Sequence, residues 1–211
     1  MLVPINPNNR LEDEKTPYNE IVASLKQAGK MLVVAKGEAI LFEGETVDYV
    51  FIIEEGCFRT HRWINDEDIT IGFTFMGDID TCPYAFINQL ESTDTIEALT
   101  DGKVIRIHRR EIENLQRVNP LFNNFVNSLL SNYIEVLIKR NIDLRTKSAE
   151  ALYKELLERQ PYEVARIPLM FIASYLGITK ERLSRIRKKD SQVDYGQLAA
   201  YYAYLFSPLL T

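Results

Sequence analysis

The apolar positions of this chain change their period twice. Tyr18 to Ala28 has helical spacing, with Ile21, Val22 and Leu25 on one side and Gly29 closing it. From Met31 to about Arg109 the pattern becomes short β-rich runs punctuated by glycine. MLVVAK precedes Gly37, AILFE precedes Gly44 and YVFIIEE precedes Gly56, followed by CFRTHRWI, ITIGFTFM before Gly77, TIEAL and KVIRIHR. Strands this short and regular predict a small β-barrel or β-sandwich. Asn119-Pro120 then opens a helix, a capping side chain followed by proline at the first helical position. Between Pro120 and Asp143, Phe122, Val126, Leu129, Tyr133 and Val136 recur at alternating steps of four and three, the seam of a coiled coil. Leu121, Phe125, Leu130, Ile134, Leu137 and Ile138 add further apolar stripes, so this helix needs more than one partner. One stripe suits the β domain, and the seam suits the same helix of a second subunit. The competing reading is a long helix buried within one subunit.

Helical spacing resumes at Lys147–Arg159, with Ala151, Leu152 and Leu156 inward and Pro161 ending it. YEVARIP reads as a single β-strand. Residues 167–189, IPLMFIASYLGITKERLSRIRKK, carry the strongest signal. Leu169, Ile172, Ala173 and Leu176 form an apolar face, Gly177 interrupts, Ile178 fills a turn, and Thr179 is a good N-cap. Leu183 and Ile186 continue the inward stripe. Lys180, Glu181, Arg182, Ser184, Arg185, Arg187 and Lys188 point outward. Two short helices joined by a glycine turn, the second basic, form a helix-turn-helix whose second helix enters the DNA major groove. An αα-hairpin with a solvated basic face is the bland alternative. Six basic residues against one acidic between Thr179 and Lys189 favour DNA. Beyond Asp190, Tyr195, Leu198, Tyr202 and Leu205 share one helical face, so a tyrosine-rich terminal helix ends before Pro208. Residues 1–16 read as a loose leader.

Net charge changes the picture only when it is divided. The 211 residues carry −5 overall, but Asn141–Asp190 is +4 and the remainder −9. A basic C-terminal unit on an acidic body implies that one end meets a polyanion. Cys57 and Cys82 are too few for a disulfide framework or a four-thiolate cluster. No stretch approaches the roughly 20 apolar residues of a membrane span, and no signal-peptide pattern opens the chain, so the expected compartment is the cytoplasm and no membrane is expected as partner. There is no nucleophile–base pairing, no metal-ligand spacing and no glycine-rich phosphate loop, so no enzyme, metal or cofactor is expected.

In this order, an all-β roll, a long seam helix and a C-terminal helix-turn-helix resemble the Crp/Fnr family of bacterial transcription regulators. The likeness covers nearly the whole chain. It is carried by Lys36-Gly37-Glu38, Phe42-Glu43-Gly44-Glu45, the run Tyr49 to Gly56, Met76-Gly77-Asp78 and YLGITKERLSRIRK. The resemblance implies an α+β fold: a β-roll sensor-like domain over residues 1–118, a dimerisation helix over 119–144 and a winged helix-turn-helix domain over 145–211. It also implies a homodimer on a palindromic site of double-stranded DNA, with RNA polymerase as a further partner. The family's three base-reading positions fall on Lys180, Glu181 and Arg185. Arginine donates a bidentate pair to guanine and glutamate accepts from cytosine. Glu181 has a second reading, as a solvated charge paired with Arg185. Thr179, Arg182, Ser184 and Lys188 are expected on phosphates.

The sensor cassette departs from the family. Cyclic-nucleotide-binding members hold the phosphate and ribose with a Gly-Glu pair and an Arg-Ser pair; here these positions fall on Thr81-Cys82 and Ser92-Thr93. No lysine or arginine lies between Gly77 and Gly102. A phosphodiester buried there loses a charge-assisted contact of about 1.5–3 kcal/mol and meets Asp78, Asp80, Glu91 or Asp94 instead. Arg59, Arg62 or His61 from the preceding strands is the remaining source of a cation. Loss of cyclic AMP and cyclic GMP binding is therefore expected, with the effector unknown or absent. His61 reads as an exposed strand residue, His108 as a surface residue and Cys82 as a buried thiol. The alternative function is a ligand-binding regulatory module acting through protein contacts.

Overall fold

The glycine-punctuated runs fold into two four-stranded antiparallel sheets packed face to face. The structure, a computed structural model, describes residues 17–190; the leader and the tyrosine-rich tail lie outside them. One sheet has the order β1 (Lys30–Val34), β8 (Gly102–His108), β3 (Tyr49–Glu55), β6 (Ile79–Asp80). The other has β2 (Ala39–Leu41), β7 (Thr95–Ala98), β4 (Cys57–Ile64), β5 (Glu67–Phe75). Asn65 and Asp66 turn β4 into β5 with φ of 50° and 62°, left-handed values that short polar residues tolerate.

Alternation along β3 explains why YVFIIEE is apolar on both faces. Phe51 and Ile53 point between the sheets, where Val47, Phe58, Ile96 and Val104 complete a core. Ile52 points the other way and joins Ile105 and Ile107 of β8 under a helical layer. That layer is α1 (Pro17–Ala28), which contributes Ile21 and Leu25, and α4 (Phe122–Thr146), which contributes Phe122 and Phe125. Tyr18 at the start of α1 donates its hydroxyl to Ser128 of α4 at 2.7 Å, tying the two helices together. Two helices were not read from the sequence: α2 (Pro83–Asn88), inside the cassette, and α3 (Arg109–Val118), which starts directly after β8.

The expected helix over Pro120–Asp143 is α4. Asn119 stands at its start, its Oδ1 accepting the N–H of Leu121 at 2.9 Å. The expected seam Phe122, Val126, Leu129, Tyr133 and Val136 runs along this helix. Phe122 is 2% exposed and packs on the chain's own roll, with Val126 and Leu129 packed against the same cluster. Phe122 is thereby spent on the roll, whereas Val126 and Leu129 keep part of their surface exposed. Tyr133 and Val136 are half-buried, while Leu121, Ile134, Leu137, Ile138, Ile142 and Leu144 are exposed.

Two compact units divide between Ile138 and Lys139, within α4 rather than at either of its ends. In the second unit α5 (Ala149–Arg159) is capped by Ser148, whose hydroxyl accepts from Ala151 N–H. Its buried face is Ala149, Tyr153, Leu156 and Leu157, whereas Ala151 and Leu152 are half-buried. The strand expected at YEVARIP is a helix, α6 (Pro161–Arg166). Proline at its first position and burial of Val164 and Ile167, three residues apart, give the segment helical spacing. Among the described residues the second unit is wholly helical, so no strand of a wing is present there.

Candidate nucleic-acid interface and sensor cassette

The helix-turn-helix follows from three local features. α7 (Leu169–Leu176) ends at Gly177, whose φ of 66° is left-handed, and Ile178 N–H returns to Ala173 carbonyl at 3.0 Å. Thr179 then caps α8 (Lys180–Asp190), its hydroxyl accepting Arg182 N–H at 3.2 Å. Leu183 and Ile186 are buried alongside Ile172, Ala173 and Leu176. Arg140 braces the pair. Its guanidinium lies 3.7 Å from the centre of the Tyr175 ring and donates to the Tyr175 carbonyl at 2.6 Å, and burial lowers its pKa.

Opposite Leu183 and Ile186, at spacings of four and three, stand Glu181, Arg185 and Lys188, all exposed. Lys180 and Arg182 flank them, also exposed, and Ser184 is half-buried. Among the described residues no ion pair joins Glu181 to Arg185, so both heads are presented to solvent. The Thr179 hydroxyl is engaged as a cap and retains one proton to donate.

In the first unit the cassette runs from Gly77 to Asp94. Asp78 is a turn brace: its carboxylate accepts Phe75 N–H at 2.9 Å. Thr81 is likewise committed, donating to the Tyr49 carbonyl at 2.9 Å. Cys82, buried, precedes α2 and lies 3.8 Å from Asp94 Oδ2. Ser92 Oγ donates to the backbone carbonyl of Asp94 and accepts its N–H, closing a tight turn.

Arg62, on β4, supplies the cation that the cassette lacks. Its Nε contacts Asp94 Oδ1 at 2.7 Å and its Nη2 donates to Thr93 Oγ1 at 2.6 Å. Cys82, Ser92 and Thr93 are thus brought together through Asp94 and Arg62, while Thr81 is bonded elsewhere. The hydrogen bond to Asp94 raises the Arg62 pKa, so this guanidinium is charged and already neutralised. An entering phosphate competes for this guanidinium with a carboxylate at 2.7 Å.

Arg59 does not reach the cassette. It is buried on the other face of β4, held by Glu97 at 2.7 Å, Asp68 at 2.8 Å and Thr70. His61 beside it corrects the expectation of an exposed residue: it is 7% exposed, with Nδ1 2.9 Å from Asp68. His108 also has a defined role, its Nδ1 accepting Arg110 N–H at the start of α3. Sequence reasoning counted Asp80 only as a repelling charge and missed its burial: it is fully buried on β6, with Oδ2 accepting from Thr74 at 2.8 Å and Oδ1 without a partner. It also missed Arg109, which donates to the carbonyls of Val47 and Phe86 and lies over the Phe86 ring, fastening α2 to the start of α3. Among the described residues no cluster of His, Cys, Asp and Glu suits a metal ion, and no helix is long and apolar enough to cross a membrane.

Residues 31–119 match the sequence profile of the cyclic nucleotide-binding domain family. No curated protein matches the chain by sequence. Among solved structures, FixK2 of Bradyrhizobium japonicum superposes with a TM-score of 0.66 at 19% identity, covering 76% of this chain and 83% of its own. The c-di-GMP-responsive global regulator CLP of Xanthomonas campestris gives 0.64 at 12% identity, covering 82% and 91%. A transcriptional regulator assigned to the Crp/Fnr family in Eubacterium rectale gives 0.62 at 18% identity, covering 86% of each. The chain therefore has the fold of Crp/Fnr regulators, with a cyclic-nucleotide-type domain at its centre.

Proposed function

We propose that this chain is a sequence-specific, DNA-binding transcription regulator of the Crp/Fnr type that acts as a homodimer and does not respond to cyclic AMP or cyclic GMP. The observation that carries the first part is α8. A capped helix anchored by Leu183 and Ile186 presents Glu181, Arg185 and Lys188 along its outer line. Arg185 and Glu181 read bases, with Lys180 beside them. Arg182, Lys188, Thr179 and Ser184 hold phosphates. For a two-fold dimer the preferred site is a palindrome with half-sites about one helical turn apart. RNA polymerase is the natural further partner of such a regulator.

Loss of cyclic-nucleotide binding is supported by Arg62, whose charge is taken by Asp94, and by Thr81 and Cys82, which replace a phosphate-holding glycine and a ribose-holding carboxylate. Dimerisation is assigned to α4 through its exposed Ile134, Leu137 and Ile138, since Phe122 is committed to the roll and Val126 and Leu129 are half-buried.

The test selects bound sequences from a random DNA pool, then titrates the chosen site and a scrambled one at several salt concentrations. Arg185→Ala is expected to cost about 1–3 kcal/mol on the chosen site and to relax its guanine preference. Lys188→Ala is expected to weaken both DNAs alike and to flatten the salt slope by about one unit. Equal loss on both DNAs for Arg185→Ala refutes α8 as the reader. No binding at low salt favours a regulatory module working through protein contacts.

A further inference from the structure

The outer face of the first sheet holds a cavity that Thr81, Pro83, Phe86 and Ile87 of the cassette help to line. On β3 and β6 the residues alternate. Phe51 and Asp80, paired across the strands, occupy one face, while Val50 and Ile79 point towards α4. Between these and α4 lies an apolar cavity of about 170 Å³. Its wall on the α4 side is Phe125, Val126 and Leu129, and Phe86 of α2 forms the cassette side. Ile87, 55% exposed, stands at the mouth. Tyr133 lines the cavity too, and among the described residues its hydroxyl has no hydrogen-bond partner.

We infer that this cavity binds a small uncharged ring compound with one hydrogen-bonding group, held between α2 and α4 with that group on Tyr133. The site lies outside the inter-sheet space and requires no cation. Three observations select this occupant. Apolar cavities of about 150 Å³ hold benzene and stay dry without it, and 170 Å³ admits one substituted ring but not a helix or a nucleotide. The lining carries no charged side chain, so an anion or cation has no counter-ion. Ile134 and Ile138 of α4 are turned about a third of the helix circumference from Val126 and Leu129, whereas Leu137 falls near the line of Val126 and Tyr133, so a second copy seated on Ile134 and Ile138 leaves the cavity free. A ring in this position bridges the cassette helix to α4 and favours the arrangement in which the two are packed. The inference extends the reading of the roll as a sensor that has lost its nucleotide, and rests on that reading.

The experiment is fluorine NMR of 4-fluorophenol and of fluorobenzene with the full chain, alongside the DNA titration. Both probes are expected to bind saturably. Val126→Phe fills the cavity and is expected to weaken both at least tenfold, whereas Tyr133→Phe weakens 4-fluorophenol about fivefold, one neutral hydrogen bond, and leaves fluorobenzene unchanged. If Val126→Phe melts much lower than the parent chain, Leu130→Trp at the mouth replaces it. No saturable binding to the parent chain, or equal binding to the filled variant, overturns the inference. So does a filled variant that turns monomeric, because the cavity then belongs to an interface. A chain that binds DNA but neither probe loses this inference alone, and one that binds the probes but no DNA loses the regulator reading alone.

Discussion

Asp80 is a carboxylate buried with half of its hydrogen bonding undone. Burial pushes its pKa up to about 7; the hydroxyl of Thr74 pulls the other way and the charge of Asp78 adds to the rise. In an unfolded chain an aspartate titrates near ~3.9. Between about pH 4 and 7 the folded chain therefore keeps a proton that the unfolded chain has lost. Stability falls as pH rises through that window and levels off above about 7, where the full penalty is present. Asp80→Asn removes the penalty, worth up to about 4 kcal/mol at alkaline pH. Its thermal midpoint should exceed that of the parent at pH 8 and converge with it near pH 4; parallel curves across the range refute the assignment. Arg62 sets a second expectation at this scale. With its guanidinium held by Asp94, calorimetry at millimolar cyclic AMP or cyclic GMP should show no heat beyond dilution. Saturable micromolar binding would mean that Asp94 yields to phosphate.

Elements were legible where their signals are local. The turn between α7 and α8 needed only Gly177, Thr179 and the apolar steps on either side, and each behaves as its chemistry dictates. A side chain added at Gly177 meets nothing within 4 Å, so the cost of replacing it is backbone conformation alone. Gly177→Val is accordingly expected to destabilise the second unit by about 1–2 kcal/mol and Gly177→Asn by less, since asparagine tolerates the left-handed region. Urea unfolding followed at the tryptophan-free second unit by circular dichroism measures this, and equal losses would show that φ is not the cause. Short elements were harder. Over six residues Tyr162, Val164 and Arg166 alternate as a strand would, and the deciding facts, Pro161 at the first position and Ile167 buried beside Val164, weigh little in a sequence pattern. The cassette shows the same limit. The replaced pairs at Thr81-Cys82 and Ser92-Thr93 could be counted from Gly77, but Arg62 reaches Asp94 across 32 residues of chain, a pairing set by strand order. In α4 the four-three spacing identifies an apolar face without identifying what covers it, and at Phe122 the cover is the chain's own roll.

At the scale of the whole molecule the unequal charge and the exposed stripe of α4 belong to one argument. A stretch carrying +4 within a chain of −5 gives a single copy few phosphate contacts, so a lone subunit should bind DNA weakly and lose that binding steeply with salt. Two copies held together place a second α8 on the same duplex at high effective concentration, which multiplies affinity without any new contact. The apolar surface proposed for this is Ile134, Leu137 and Ile138, 56%, 41% and 57% exposed, whereas Phe122 of the expected seam is covered by the roll. Ile134→Glu together with Ile138→Glu puts like charges one turn apart on that stripe and across any two-fold axis that crosses it. The double variant is expected to be monomeric in light scattering, to keep the melting behaviour of a folded roll, and to lose at least a hundredfold in affinity for the full palindrome. Its affinity for a single half-site should match that of the parent chain, because α8 is untouched. A double variant that remains dimeric, or one whose affinity falls equally on half and full sites, would place the subunit contact elsewhere.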